Sequence, residues 1–192
     1  MVASRRSFLK GLIACGSLAV LPAFAQNSQA QGKRVLILYF SHSGHTATIA
    51  SMIHDRIGGD LVEIKTKTPY TSDYDVLTQQ AKEEQRLKVR PELASPLPNP
   101  QAYDIVFLGY PNWWNTMPMV LFTVLEQYDF SGRQLVPFCT HGGSHLGSSV
   151  EDIKKLCPKA QVLTGFSAFG TKVRDAGENV DAWLAELNLL SQ

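Results

Sequence analysis

The segment Ser41-His42-Ser43-Gly44-His45-Thr46 brings three hydroxyl side chains and a glycine together just before a stretch of helical spacing. The first N–H groups of a helix have no partner within the helix, so they favour an anion. The hydroxyls add donors, and Gly44 lets the main chain approach a ligand closely. The segment therefore predicts a cradle for a compact phosphate monoester.

Two other interpretations of this segment differ in what they require. A nucleoside triphosphate or dinucleotide site would need G-x-x-x-x-G-K-[ST] or G-x-G-x-x-G, and the segment matches neither pattern. An ordinary Ser/Thr helix cap needs a single hydroxyl. That simpler alternative stays open.

A second segment combines adjacent indoles with amides, and its candidate residues are Pro111, Asn112, Trp113, Trp114, Asn115 and Thr116. Two neighbouring Trp side chains just past a strand end cannot both point into one core layer. At least one should lie over the strand ends, where an indole offers stacking surface to an aromatic ligand. Burial of both Trp side chains in the core is the alternative.

A third segment is rich in glycine, and its candidate residues are Thr140, His141, Gly142, Gly143, Ser144 and Gly147. The glycines would let the main chain run close against a ligand. The backbone amides could then hydrogen-bond to ring heteroatoms. A merely flexible loop is the alternative.

The elements that position these segments alternate between strand-like apolar runs and helical stretches, as in the βαβ units of a parallel sheet. The predicted strands are Arg34–Phe40, Leu61–Lys65, Asp104–Tyr110, Gln134–Cys139 and Val162–Phe169. The predicted helices are His45–Ile57, Tyr74–Val89, Pro118–Tyr128, Ser149–Leu156 and Asn179–Leu190. We expect a doubly wound, three-layer α/β sandwich with a five-stranded parallel sheet of order 2-1-3-4-5. In such sheets a ligand lies at the carboxyl ends of the strands where the order reverses, and all three segments follow strands at that place.

The three segments together resemble the flavodoxins, over the chain from about Lys33 to Leu190. Ser41–Thr46 is similar to their [ST]-x-[ST]-G-x-T loop, whereas Tyr110–Pro118 and Cys139–Ser144 resemble one flavodoxin-like branch. The resemblance implies the flavodoxin-like fold and the cofactor FMN, with its phosphate at Ser41–Thr46. The flavin ring would then lie between the segments Pro111–Thr116 and Thr140–Gly147, with Trp113 as the stacking residue.

The sequence departs from the flavodoxin pattern in two places. His45 stands where the family often has Asn. The third segment lacks the family's aromatic stacker and offers only His141 and His145. One face of the flavin would therefore be more open than in electron-carrier flavodoxins, which leaves room for a substrate.

The N-terminus has the pattern of an export signal. A cationic start containing Arg5 and Arg6 precedes a short apolar run and the ending Ala23-Phe24-Ala25. The pattern resembles a twin-arginine signal, which implies export of a folded, cofactor-loaded protein. We predict a signal peptide at 1–25, a polar lead-in at 26–32 and an FMN-binding domain at 33–192, periplasmic or otherwise exported. Lipidation of Cys15 and an amphipathic first helix are the alternatives.

Composition and charge exclude several classes of partner. About 44% of residues are hydrophobic, enough for one sizeable core. No stretch reaches the roughly 20 uninterrupted apolar residues of a membrane span, so none is predicted in the mature chain. Without Arg5, Arg6 and Lys10, 15 basic residues remain against 17 acidic ones. This near-neutral balance argues against nucleic acid or an anionic membrane as a partner.

The cysteines and histidines invite two further interpretations. An exported protein suggests a disulfide between Cys139 and Cys157. However, the predicted helix before Cys157 runs away from Cys139 for about 12 Å, farther than a bridge allows. We therefore predict two buried free thiols. No metal site is predicted at the histidines, because no carboxylate or thiolate has ligand spacing among them.

Three functions fit a flavin-binding protein of this composition. The protein could carry electrons to a redox partner protein, or reduce quinones, nitro or azo compounds with electrons from NAD(P)H. It could also be a non-catalytic flavin-binding module. Near-neutral charge weakens electrostatic steering to a partner protein, whereas nicotinamide cofactors are not expected to be plentiful outside the cytoplasm. We expect an FMN protein in electron transfer to a partner protein or small-molecule acceptor, with the carrier ahead of the enzyme.

Overall fold

The computed structural model describes residues 32–190. The predicted signal peptide, most of the lead-in and Cys15 lie outside the described residues, so export stays a prediction. The strands are Val35–Tyr39 (β1), Asp60–Glu63 (β2), Ile105–Pro111 (β3), Gln134–His141 (β4), Gln161–Val162 (β5) and Phe166–Phe169 (β6). The helices are His45–Ile57 (α1), Tyr74–Leu87 (α2), Met119–Gln127 (α3), Ser149–Leu156 (α4) and Gly177–Glu186 (α5).

The sheet has the predicted topology. Its strands are parallel and run in the order β2-β1-β3-β4-β5, with β6 also paired to β4. The flavodoxin-like α/β fold class is therefore confirmed. β1 and β3 lie in the middle of the sheet, and their apolar runs are buried on both faces, as is typical of parallel sheets.

The predicted fifth strand is interrupted, so the sheet has six strand segments instead of five. β5 and β6 pair with opposite halves of β4. At the break, a Cβ on Gly165 would lie 3.0 Å from the ring of Pro137 in β4. Pro137 has no N–H to donate to the ladder, and its ring lies against Gly165 at the break.

Two predicted boundaries were wrong, one at the site and one at the end of the chain. β4 continues through Thr140 and His141, so these residues end a strand instead of opening a loop. The last helix ends at Glu186 and not at Leu190, because Asn188 adopts a left-handed φ of 56° that the helix cannot continue through.

Two apolar layers enclose the sheet. Ile37 and Phe107 pack with α1 and α5 on one face, whereas Leu36 and Leu108 pack with α3 and α4 on the other. Cys139 and Cys157 belong to this second layer as buried free thiols. Among residues 32–190, no helix is both long and apolar enough to cross a membrane.

Candidate functional site

The first loop, Ser41–Thr46, leaves the start of α1 open. Ser41 Oγ accepts a hydrogen bond from Ala47 N at 3.2 Å. No acceptor within residues 32–190 meets the N–H groups of Gly44, His45 and Thr46. The first turn of α1 also carries no acidic residue. These amides and the positive end of the helix dipole can therefore receive an anion.

The side chains of the first loop divide into two groups. His42, Ser43 and Gly44 are exposed, and an added Cβ on Gly44 would meet nothing within 4 Å. The Thr46 hydroxyl instead shares a buried hydrogen bond of 2.9 Å with Thr140 Oγ1, which ties the loop to β4. The Thr46 hydroxyl is therefore used within the protein, which leaves the backbone amides, Ser41 and Ser43 as the groups of this loop that can meet an anion.

His45 lies on the side of α1 that faces the end of β6. A Cβ on Gly170, the residue after β6, would be 2.8 Å from His45 Nδ1. The ring therefore packs against the main chain there and is half-buried. At the position where flavodoxins often have Asn, this protein places an imidazole between α1 and β6.

The second loop, Pro111–Pro118, is built around a tight turn. Trp113 N donates to Thr116 O at 2.8 Å, and Thr116 N donates back to Trp113 O at 3.2 Å. Between them, Trp114 and Asn115 have φ values of 50° and 68°, which is the sign pattern of a type I′ turn. A positive φ is uncommon for a residue as bulky as Trp, so the turn is held by its surroundings.

The two indoles point in different directions, as expected from the sequence. Trp113 is half-buried, and its ring packs edge-to-face with Phe40 at 5.6 Å and Tyr70 at 5.1 Å between centroids. Its ring centroid is also 6.1 Å from that of His42 in the first loop. Trp114 is 43% exposed, and its Nε1 donates to Thr78 O of α2. Trp113 is therefore the indole that borders the first loop.

The third loop, Gly142–Ser148, is hydrogen-bonded to the second loop. Asn112 N donates to Thr140 O and Asn112 Nδ2 donates to His145 O, at 2.8 and 2.9 Å. Ser148 N donates to Asn115 O at 2.8 Å. These bonds join the end of β4, the middle of the third loop and its last residue to the second loop.

The three glycines of the third loop have different roles. An added Cβ on Gly147 would lie 2.2 Å from Asn115 O, so this glycine serves contact with the second loop. An added Cβ on Gly142 or Gly143 would meet nothing within 4 Å. These two residues are the part of the loop that is free to lie against a ligand.

His141 and His145 form a pair of rings at the end of β4. His141 is buried, and its Nδ1 accepts a hydrogen bond from Gly143 N at 2.9 Å. The two ring centroids are 4.4 Å apart, and His145 Nδ1 is 3.2 Å from Ser167 Oγ. Burial, and then the neighbouring His145, lower the pKa of His141. The neutral ring therefore accepts at Nδ1 and carries its proton at Nε2.

Cys139 is a buried, hydrogen-bonded thiol. Its Sγ donates to His145 O at 3.0 Å, and burial raises the pKa of the thiol to about 12. The thiolate, the reactive form of cysteine, is thus disfavoured. Within residues 32–190, no three His, Cys, Asp or Glu side chains are grouped to hold a metal ion.

Two residues at this edge, Phe169 and Tyr70, were not assigned to the site in advance. Phe169, 43% exposed, lies 5.4 Å from the His141 ring, and Tyr70 supports Trp113. Burial and a hydrogen bond to Glu84 raise the pKa of Tyr70. Phe169 could have been found, because it ends the predicted fifth strand at the same sheet edge. Tyr70 lies in a long connection whose path the sequence does not specify.

A groove of about 500 Å³ lies between α2 and the tight turn of the second loop. Its α2 wall includes Leu77, Thr78 and Ala81, and its opposite wall includes Trp113 and Trp114. Ser144 of the third loop also lines it. Five of its lining residues, Asn112, Trp113, Trp114, Asn115 and Ser144, are among those predicted to surround a flavin ring.

Comparison with known proteins gives a family. Residues 34–187 match the model of a flavodoxin family. A protein from Bacteroides uniformis, described as a flavoprotein, is 28% identical over 80% of this chain and 99% of its own, with a TM-score of 0.72. One from Bacteroides eggerthii, described likewise, is 34% identical over 80% and 97%, with a TM-score of 0.68.

A third similar structure contains a bound cofactor. A flavoprotein from Lactobacillus acidophilus, solved in complex with FMN, is 25% identical over 74% of this chain and 97% of its own, with a TM-score of 0.61. No curated protein matches the sequence. Because the family model spans most of the chain and the sheet has the matching strand order, this protein belongs to the flavodoxin family.

Proposed function

We propose that this protein binds FMN and acts in electron transfer outside the cytoplasm. One observation carries the proposal: three unpartnered N–H groups open the start of α1, and the Trp113 ring lies beside the same loop. The pair suits a small ligand with a phosphate at one end and an aromatic ring at the other. The FMN complex of the Lactobacillus acidophilus relative supports the choice of cofactor.

The residues present fit FMN in both parts. Ser41–Thr46 would hold the phosphate, and the segments Pro111–Thr116 and Thr140–Gly147 would flank the ring. The open space around Gly142 and Gly143 would let their backbone amides hydrogen-bond to polar atoms of the ring. We assign the stacking contact to Trp113, because it borders His42 of the first loop, whereas Trp114 packs on α2. FMN would supply reversible transfer of one or two electrons.

The phosphate cradle is tested by comparing FMN with riboflavin, which has the same ring and no phosphate. Hydrogen bonds to a charged group are worth roughly 1.5–3 kcal/mol each. Apoprotein should therefore bind FMN about a hundredfold or more tighter, a difference of roughly 2.7 kcal/mol. Flavin fluorescence quenching measures both Kd values. Equal affinities would show that the first loop holds no phosphate.

Two glycine variants provide a matched control for this comparison. Gly44 and Gly132 have φ values of 85° and 73°, and an added Cβ on either would meet nothing within 4 Å. Gly44→Ala and Gly132→Ala should therefore have similar backbone strain. Only Gly44→Ala should weaken FMN binding, because its methyl group lies at the cradle. Equal FMN affinities in the two variants would remove Gly44 from the site.

A second candidate is an FMN-dependent reductase of small molecules, because the groove extends past the residues assigned to the flavin ring, as far as Leu77, Thr78 and Ala81 of α2. A near-neutral mature chain also lacks the acidity that steers a carrier to basic partners. Anaerobic mixing of the yellow protein with reduced nicotinamide separates the candidates. Rapid bleaching would favour the reductase, whereas no bleaching, with reduction by a partner protein instead, would favour the carrier. If neither reduced nicotinamide nor a partner protein reduced the flavin, the result would favour a non-catalytic flavin-binding module.

Export by the twin-arginine route is the localisation that we propose. The motif around Arg5 and Arg6 supports it, and the route would deliver a folded, FMN-loaded protein. Replacing both arginines by lysine should keep the uncut precursor in the cytoplasm, as followed by fractionation and mass. Unchanged export would contradict the twin-arginine assignment, and a lipid on Cys15 would contradict cleavage after Ala25.

A further inference from the structure

The geometry points to a binding site apart from the flavin: we propose that a pocket between the end of α2 and helices α3 and α4 binds a small aromatic carboxylate. The pocket has a volume of about 310 Å³, at the lower end of the range of small-molecule sites. Of the residues assigned to the flavin, only Thr116 lines it, and the Thr116 hydroxyl already donates to Asp152. The pocket therefore does not depend on FMN binding.

Part of the pocket lining is apolar and suits an aromatic ring. Met119 and Phe122 of α3 and Leu156 of α4 line the pocket. Met119 is buried, whereas Phe122 and Leu156 are partly buried. Thioether sulfur and aromatic rings both make favourable contacts with an aromatic group. This surface therefore favours a ring as the apolar part of the occupant.

The charges of the pocket leave one cation unmatched. Arg90 donates twice to the carboxylate of Glu126 on α3, at 2.7 and 2.6 Å, and Lys155 Nζ is 3.9 Å from Asp152 Oδ1. The third cation of the lining, Lys88, forms no ion pair with any residue between 32 and 190. An unmatched ammonium beside apolar surface suits a ring that carries one carboxylate.

The backbone at Lys88 supports a role for its side chain. Lys88 caps the C-terminal end of α2 with φ 52° and ψ 42°, a left-handed conformation in which helices commonly have glycine. Its carbonyl accepts a hydrogen bond from Arg90 Nη1 at 2.8 Å, so the pair of Arg90 and Glu126 fixes the backbone that carries the ammonium. Strain of this kind is concentrated at functional sites, and glycine there would remove both the strain and the charge.

The Asp152 carboxylate limits how much negative charge the pocket can accept. Asp152 Oδ2 accepts hydrogen bonds from Thr116 Oγ1 at 2.7 Å and from Ser148 Oγ at 3.4 Å, and these bonds hold the carboxylate in the lining. Each further negative charge on the occupant would be repelled by Asp152. The pocket therefore fits a monocarboxylate better than a phosphate ester.

The test measures binding of 2-naphthoate to the protein in saturating FMN, with 2-naphthylmethanol as the uncharged analogue. Lys88→Gly removes the ammonium and the left-handed strain, so it should not lower the Tm. Asn188→Gly is the control for the backbone change, because Asn188 also has a left-handed φ, of 56°. Lys154→Gln is the control for charge, because Lys154 is exposed and lies outside the lining.

We expect Lys88→Gly to weaken 2-naphthoate binding about fivefold, near the upper limit for one exposed ion pair, whereas both control variants bind as the parent does. The parent should bind 2-naphthylmethanol more weakly than 2-naphthoate by a similar factor. In methyl NMR, 2-naphthoate should shift the Met119 signal and leave that of Met52 on α1 unchanged. Equal binding by Lys88→Gly and the parent, an unshifted Met119 signal, or no 2-naphthoate binding to the parent would overturn the proposal.

Discussion

The two ends of the candidate flavin site are built differently. At the phosphate end, the first loop is exposed from His42 to Gly44, and its amides have no partner within the described chain. At the ring end, the second and third loops hold each other through Asn112 and Asn115. The backbone N–H groups of the first loop are thus available to hydrogen-bond to a ligand. At the ring end, Asn112 and Asn115 already hydrogen-bond to other parts of the protein.

The difference suggests a division of roles. Hydrogen bonds from the free amides of the first loop to an anion would contribute to the binding free energy. The first loop should therefore determine the affinity for FMN. A ring end that is fixed in advance should determine how the flavin is oriented and which molecule reaches it. Variants at the two ends should therefore change different measured quantities.

The largest expected effect comes from breaking the contact between the second and third loops. In Gly147→Ala, the new Cβ would lie 2.2 Å from Asn115 O at a residue whose φ is 54°. Left-handed strain and overpacking together should lower the free energy of unfolding by about 2–4 kcal/mol. Urea unfolding measures the loss.

Gly142→Ala is the matched control in the same loop, because an added Cβ there meets nothing within 4 Å and its φ is not positive. Its free energy of unfolding should stay within about 0.5 kcal/mol of the parent. Equal losses in the two alanine variants would show that the Asn115 contact does not hold the ring end together.

A smaller effect should distinguish the two indoles. Trp113→Ala should weaken FMN binding or shift its midpoint potential more than Trp114→Ala does, because Trp113 borders the first loop. A lost stacking contact costs on the order of 0.5–1.5 kcal/mol beyond the lost contact area. Flavin titration and spectroelectrochemistry measure both changes. The reverse ranking would transfer the stacking role to Trp114.

The smallest expected effect is the pH dependence of stability that His141 causes at the ring end. The pKa of His141 is lowered in the folded protein, so the unfolded chain binds more protons near its ordinary value of about 6.5. Stability should therefore be complete above that value and decline as pH falls through the lowered folded pKa. Protonation of Nδ1 would also remove the acceptor of Gly143 N.

His141→Asn tests this dependence, because its side-chain oxygen can accept the Gly143 bond without titrating. Urea unfolding measures how much the free energy of unfolding falls between pH 7.5 and pH 5. This fall should be smaller in His141→Asn than in the parent. His54→Asn, on α1 away from the loops, should keep the parental loss. If His141→Asn lost as much stability between these pH values as the parent does, His141 would be excluded as the source of the pH dependence.

The sequence predicted the strands and helices around this site better than the contacts between its loops. Continuous apolar runs and helical spacing indicated the strands and helices, because buried parallel strands have a recognisable composition. The order 2-1-3-4-5 was then predicted from their strict alternation and the size of the chain. The contacts of Gly147 and Trp114 could not be predicted. They depend on how two loops and α2 meet in space, and residues distant in the sequence determine that packing. The interruption of the fifth strand was visible only as Gly165, since the part played by Pro137 requires the pairing register.

The identity of the bound flavin tests the central claim most directly. Protein purified from an exporting host should be yellow, and heat denaturation should release FMN, identified by chromatography and mass. The first loop offers one open helix start for one phosphate, and we therefore predict FMN at about one equivalent per chain. Release of FAD, or a colourless protein that does not take up added FMN, would contradict it.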